Sequence, residues 1–230
     1  MLLRSFRPAL PLPGAAAPTA PTAPAPAPLD LRALLGEAAW AGLPAAVQRR
    51  FVTGHPSAVY VGRMALHCSW VGRLFAGLSR LVGAPLTAAC QADIPAVVSV
   101  HGNGRGGVVW ERRFGHPGAG GATVRSTKEL APDGTLFERT DGGLGMALRV
   151  FEREGSLVFQ SRRYELVLGR RRWVVPALFT PGTCEVSHTD LGHGRFRFTL
   201  QMRHPLWGRT FFQTGVFTDP VDLIHSDATT

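Results

Sequence analysis

The chain is almost without lysine. Its 230 residues carry 25 basic side chains, yet Lys128 is the only lysine, and Asn103 is likewise the only asparagine. Both gaps read as a high-GC coding bias that exchanges Lys for Arg. That bias leaves the scarcity of acid unexplained: 16 Asp and Glu give a formal net charge of +9. An excess of this kind suits an anionic surface, an anionic ligand or an acidic protein partner. The basic residues are nevertheless scattered, with small clusters only at Arg49–Arg50, Arg112–Arg113, Arg162–Arg163 and Arg170–Arg172. A nucleic-acid surface calls for a stripe or patch, so nucleic acid is not the expected partner.

Cysteine is also sparse. Cys68, Cys90 and Cys184 lie far apart with no CxxC spacing, which speaks against a disulfide framework and against a zinc site. They are expected as buried or half-buried thiols in a reducing compartment. No stretch approaches the roughly 18 apolar residues of a membrane-crossing helix. The opening segment Met1–Pro13 is interrupted by Arg4, Arg7 and Pro8, so it lacks the unbroken apolar run of a secretory signal, and a cytoplasmic location is expected. There is no G-x-S-x-G nucleophile motif. The glycine-rich stretch Gly102–Gly107 lacks the G-K-[ST] ending of a phosphate-binding loop, and it joins two strand-like segments instead of opening a helix. It reads as a hairpin turn. No cofactor, metal or catalytic set is assigned.

What the chain does have is apolar material, 45% of residues against 18% charged, enough for a substantial core. At about 100–200 residues per domain, one domain plus a tail is the natural division. Residues 1–28 are dominated by Pro and Ala and favour extended, solvated polyproline II, so they read as a tail. Residues 29–220 read as the domain and 221–230 as a flexible end. Asp30 is placed to cap a helix running to Gly42, and Pro44 to open a second through Phe51. The spacing of Trp70, Val71, Leu74, Phe75, Leu78, Leu81 and Val82 predicts an amphipathic helix over Trp70–Val82.

Beyond Ile94 the texture is strands and turns. Ser57–His67 already has an extended character. Val97–His101, Val108–Phe114, Ala122–Leu130, Thr135–Arg139, Leu144–Phe151, Leu157–Leu168, Cys184–Thr189, Arg195–Arg203 and Thr210–Thr218 follow, separated by short glycine-bearing turns. In Arg195–Arg203, Phe196, Phe198, Leu200 and Met202 alternate with Arg195, Arg197, Thr199, Gln201 and Arg203. Only a strand with one wet face needs that pattern. With no helices between the strands for parallel crossovers, the prediction is an α+β, mainly β fold. It is an antiparallel meander of about eight strands, curled into a barrel or half-barrel, with the N-terminal helices packed on it.

Several pieces, taken in order, carry a family likeness. They are Leu43-Pro44-Ala45-Ala46-Val47 with His55, Gly62-Arg63, Leu81-Val82-Gly83-Ala84-Pro85, Val109–Gly115, Leu136-Phe137-Glu138-Arg139, Gly194–Phe198 and His204-Pro205-Leu206-Trp207-Gly208. Over about residues 40–220 the chain resembles the bacterial family catalogued as domain of unknown function 4166. The resemblance implies a compact β-rich domain, sometimes attached to a dehydrogenase-like nucleotide-binding domain or to small membrane modules. It supplies no reaction, so no catalytic residue is carried over. Arg170-Arg171-Arg172 stand where the family suggests a more apolar link.

The functional expectations follow from the barrel. The leading one is a non-catalytic domain binding a small lipid-like or hydrophobic molecule, with an anionic head as an option. Its expected lining is Trp70, Leu74, Phe75, Leu78, Trp110, Arg112, Trp173, Phe196 and Phe198. Trp173–Phe179, after three arginines, also suits a pocket rim or a peripheral contact with an anionic membrane, or else a buried connection. A second expectation is an accessory domain for a dehydrogenase-like redox enzyme or membrane partner. A third is acid–base chemistry in the barrel, with Glu111 or His101 nominated and Glu138, Arg139 and Glu165 open to the same reading or to surface ion pairing. His188 and Asp190 share a strand face near His193, a weak metal or proton-transfer pattern in what otherwise reads as an exposed turn.

Overall fold

A computed structural model describes residues 28–52, 57–81, 86, 88–115, 122–169 and 171–220. The expected tail, apart from Pro28, and the expected C-terminal segment lie outside the described residues, as do His55, Val82 and Arg170. Among the described residues no helix is long and apolar enough to cross a membrane.

Three short helices come first: α1 (Leu31–Leu35), α2 (Glu37–Ala41) and α3 (Ala45–Phe51). The Asp30 side chain accepts from the Ala33 amide and caps α1, as expected. The single helix expected up to Gly42 is instead two, because Gly36 takes a positive φ of 79° and breaks it. Strand β1 (Ala58–Cys68) precedes helix α4 (Trp70–Leu81). Ser69 caps α4 by accepting the Gly72 amide at 3.0 Å.

The rest is sheet: β2 (Gln91–Gly102), β3 (Val108–Phe114), β4 (Ala122–Leu130), β5 (Leu136–Thr140), β6 (Leu144–Arg153), β7 (Ser156–Leu168), β8 (Arg171–Val175), β9 (Thr183–Gly192), β10 (Arg195–His204) and β11 (Gly208–Thr218). Every pairing is antiparallel. The order β6-β5-β4-β3-β2-β1-β11-β10-β9-β7, with β6 also paired to β7, closes ten strands into a barrel. The count of about eight was low. An eleventh strand, β8, falls where the sequence reads as a connection. Its residues Arg171–Val174 are exposed, so it has no apolar alternation to betray it. It lies outside the ring, on β7.

Alternation fills the barrel. On β10, Phe196, Phe198 and Met202 are buried while Arg195, Arg197 and Arg203 are exposed. Tyr60, Met64, Val98, Trp110, Phe114, Phe211 and Phe217 belong to the same core. Gly62 is required where β1 crosses Phe217: a Cβ there would fall on the Val216 carbonyl oxygen and the Phe217 ring.

The wall is least regular at β7. Beyond a bulge between Ala147 and Leu148 of its partner, β7 pairs with β9 only over Leu157–Gln160, opposite Glu185–His188. Past that point side chains hold the two strands. The Ser161 hydroxyl accepts the Cys184 amide at 2.8 Å, and the Tyr164 hydroxyl donates to the Gly182 carbonyl at 2.8 Å.

The two ends differ. Helices α1–α3 lie at the end holding the β2–β3, β6–β7 and β9–β10 turns, and Phe51 of α3 packs against Trp110, Phe159 and His188. Helix α4 lies at the other end, with Phe75 against His204 and Trp207.

Candidate functional site

A cavity of about 280 Å³ opens at the helical end of the barrel. Its wall is mostly apolar: Leu29, Leu31, Phe51, Ala58, Val100, Trp110 and Phe159 among others. Four glycines of the β2–β3 region, Gly102, Gly104, Gly106 and Gly107, border it without side chains. The predicted hairpin turn is there, and it is braced. Asn103 Oδ1 accepts the amides of Arg105 and Gly107 at 2.7 and 2.9 Å. The Leu29 amide donates to the Gly106 carbonyl at 2.8 Å, tying the strap before α1 to the loop.

Two cations line this apolar space, Arg50 and Lys128. Arg50 sits on α3, yet it is buried, because two carboxylates from far along the chain meet it. Its Nε and Nη2 donate to Asp219 at 2.6 Å each, and Nη2 also donates to Asp190 at 3.0 Å. The guanidinium stacks 4.5 Å from the Phe196 ring centroid. Nη1 is buried and has no hydrogen-bond partner among the described residues.

Lys128 comes from β4 (ATVRSTKEL), where it shares one face with Val124 and Ser126. Closing the barrel forces one side of that strand inward, so Ser126 and Lys128 are buried. The register sets Lys128 opposite Glu138 of β5. Lys128 Nζ lies 3.1 Å from Glu138 Oε1, and Arg112 Nη2 lies 4.0 Å from the same oxygen. The Ser126 hydroxyl donates to it at 2.6 Å and accepts from Arg112 Nη1 at 3.4 Å. The ammonium also rests over two rings, 4.9 Å from Trp110 and 5.3 Å from Phe159.

Burial dominates the electrostatics. Loss of hydration pushes the Lys128 ammonium below the usual lysine range, and Arg112 adds to the push while Glu138 opposes it. Burial would raise the Glu138 carboxyl, but Lys128, Arg112 and the Ser126 hydrogen bond outweigh it and hold it below the usual range. His188, deeper on β9, is pushed well below the usual imidazole range by burial and by Lys128, Arg112 and Arg50. It is therefore a neutral imidazole in an aromatic cage of Phe51, Phe159, Phe196 and Phe198. Its Nδ1 and the Trp110 Nε1 have no hydrogen-bond partner among the described residues. Burial lifts Tyr60, another lining residue, to about 12.

The structure places the nine expected lining residues in three groups. Trp110 lines the cavity. Arg112, Phe196 and Phe198, again with Trp110, surround a residual void of only about 10 Å³ beneath it, so they pack the barrel's middle. The others lie away from the cavity. Trp70, Leu74 and Leu78 are 76%, 60% and 52% exposed on α4, which buries Val71, Phe75, Ala76 and Ser79 instead. The apolar stripe was broader than the face that packs. Phe75 is buried at the far end, and Trp173 is exposed on β8.

Of the acid–base nominees, His101 lines the cavity. Glu111 is outside the barrel, where it accepts from Arg113 Nε at 2.8 Å, because β3 turns Trp110 and Arg112 inward. Glu165 likewise takes Arg163 Nε at 2.5 Å and Arg172 at 3.7 Å. Arg139 pairs with Glu129 at 3.6 Å, and Glu138 is inside. His188 and Asp190 share a strand face as expected, and that face points inward, where His188 is caged by rings and Asp190 holds Arg50. His193 has a positive φ of 53° in the β9–β10 turn. Among the described residues no group of three or more His, Cys, Asp or Glu is placed to hold a metal ion.

Sequence reading missed Arg50, Phe51, Tyr60 and Lys128 as lining residues. For Lys128 a signal existed: a sole lysine in a chain that uses arginine everywhere else, on the same strand face as Ala122, Val124 and Leu130. A family model described as "Domain of unknown function (DUF4166)" matches residues 43–217. No curated protein matches the chain.

Proposed function

The chain belongs to the DUF4166 family, whose description carries no reaction, and from that premise we propose that the barrel is a receptor for one small molecule with an apolar body and an oxygen-rich end. The observation that carries the reading is the cavity itself. Its volume of about 280 Å³ lies near the lower edge of small-molecule sites, and its wall is apolar apart from a few convergent polar groups. Those groups are donors: the Lys128 ammonium and the Arg50 guanidinium with an unpartnered Nη1. An apolar void lined only by carbon would accept any hydrocarbon. Buried cations favour a ligand that brings a carboxylate or carbonyl oxygen to them.

The reading is tested by native mass spectrometry of gently purified protein and by thermal shift with octanoate, octanol and octane. Octanoate and octanol should raise the melting temperature more than octane does, and Trp110 fluorescence should report their entry. Finding only unliganded protein, and no shift with any of the three, overturns it.

A further inference from the structure

We propose that Lys128 is a covalent docking point, condensing through its Nζ with the carbonyl carbon of an apolar aldehyde or ketone that enters the cavity at the β2–β3 loop. This rests on the cavity reading above and names the head group that the site takes.

The placement carries it. Nζ reaches a water-poor, ring-lined space between Trp110 and Phe159, both of which also line the cavity. Glu138 Oε1 lies 3.1 Å away, within reach for proton transfer. Ser126 and Arg112 meet the same oxygen, at 2.6 and 4.0 Å, and hold the carboxylate in place. Lysine is the one basic side chain that does this chemistry, since a guanidinium stays protonated and does not form imines in proteins. The chain keeps its single lysine here and nowhere else. A surface salt bridge would be served as well by arginine. Burial that pushes the ammonium toward its neutral form adds nucleophilicity.

The step balances without an outside reagent. The ammonium passes a proton to Glu138, and the free amine attacks the carbonyl carbon, forming the N–C bond. The carbonyl π pair moves to oxygen, which takes a proton from the nitrogen to give the carbinolamine. Glu138 then returns its proton to that hydroxyl, which leaves as water while the nitrogen lone pair closes the C=N bond. An ammonium and a carbonyl become a protonated imine and a water, so the site keeps one positive charge and Glu138 remains its counter-ion.

The test uses the full chain with octanal and sodium cyanoborohydride near neutral pH, read by intact mass and peptide mapping. The chain offers only two primary amines, Lys128 and the α-amine of Met1, so the Met1 peptide is an internal reference. The expected result is one octyl group on Lys128, formed at least about tenfold faster than on Met1. Octanol added in excess should slow it by filling the cavity. Lys128→Arg should leave only the Met1 adduct, and Glu138→Gln should slow Lys128 labelling by about 100-fold, the scale of a lost proton shuttle. Labelling confined to Met1 in the native protein, with Lys128 reached only after unfolding in urea, overturns the inference. If octanol and octanoate still raise the melting temperature in that case, the cavity reading survives and the covalent one falls. If neither binds, both fall.

Discussion

Replacing Lys128 by methionine isolates one physical quantity, the energy with which a buried charge holds its partner. Methionine has a similar length and suits the gap over Trp110 and Phe159, so little packing is lost. What disappears is the cation 3.1 Å from Glu138, in a pair whose side chains are only 5% and 9% exposed. Breaking a buried pair by removing one partner costs about 3–5 kcal/mol. Arg112 at 4.0 Å and the Ser126 hydroxyl at 2.6 Å still serve the carboxylate, which places the expected cost near the lower end, about 3 kcal/mol. Glu138→Gln should cost a similar amount, because it leaves Lys128 and Arg112 as neighbouring cations. The double variant removes both charges and should recover much of the loss, ending within about 1–2 kcal/mol of the parent. Urea unfolding followed by tryptophan fluorescence measures all four proteins. With a slope of about 3 kcal/mol per molar, each single change moves the midpoint down by about 1 M. Single costs below about 1 kcal/mol that simply add in the double variant would refute the reasoning, since the two charges would then be reaching water.

Three other outcomes follow from the same structure. His188 is held neutral in the fold, so below a pH of about 6.5 the unfolded chain takes up a proton that the folded chain refuses; stability should fall toward acid by up to about 1.4 kcal/mol per pH unit. His188→Phe should flatten that limb of a pH series of urea midpoints, and an unchanged slope would count against the burial. Gly62→Ala should lose about 1–3 kcal/mol in a thermal melt, because the added methyl meets backbone and the Phe217 ring. Among the thiols, Cys90 is exposed and lowered by the Cys68 backbone and Arg73, whereas burial lifts Cys184 to about 12. Titration with an aromatic disulfide should therefore modify Cys90 first and reach Cys184 only on unfolding.

Much of the barrel was legible because its strands advertise a wet and a dry side. Arg195–Arg203 alternates so cleanly that its buried face can be written down before any fold is known. Val108–Phe114 and Ala122–Leu130 match the observed strands residue for residue. The site was less legible, and for a physical reason. Its polar members are buried by partners that only closure supplies: Arg50 by Asp219, 169 positions away, and Lys128 by a neighbour strand. Local pattern assigns such residues to the surface, where most charged side chains belong. Helix α4 shows the opposite error. Its apolar positions outnumber those that pack, so periodicity found the helix but not its buried edge.

The way β7 shares its edge has a mechanical consequence. A cylinder of hydrogen bonds opens most readily at a short join, and backbone pairing between β7 and β9 stops after Gln160. Beyond it, the Ser161 and Tyr164 hydroxyls do the fastening. Loosening should begin there and run toward Phe159 and His188, at the foot of the cavity. The hoop can thus widen beside its own interior site while the long ladders on the opposite side stay intact.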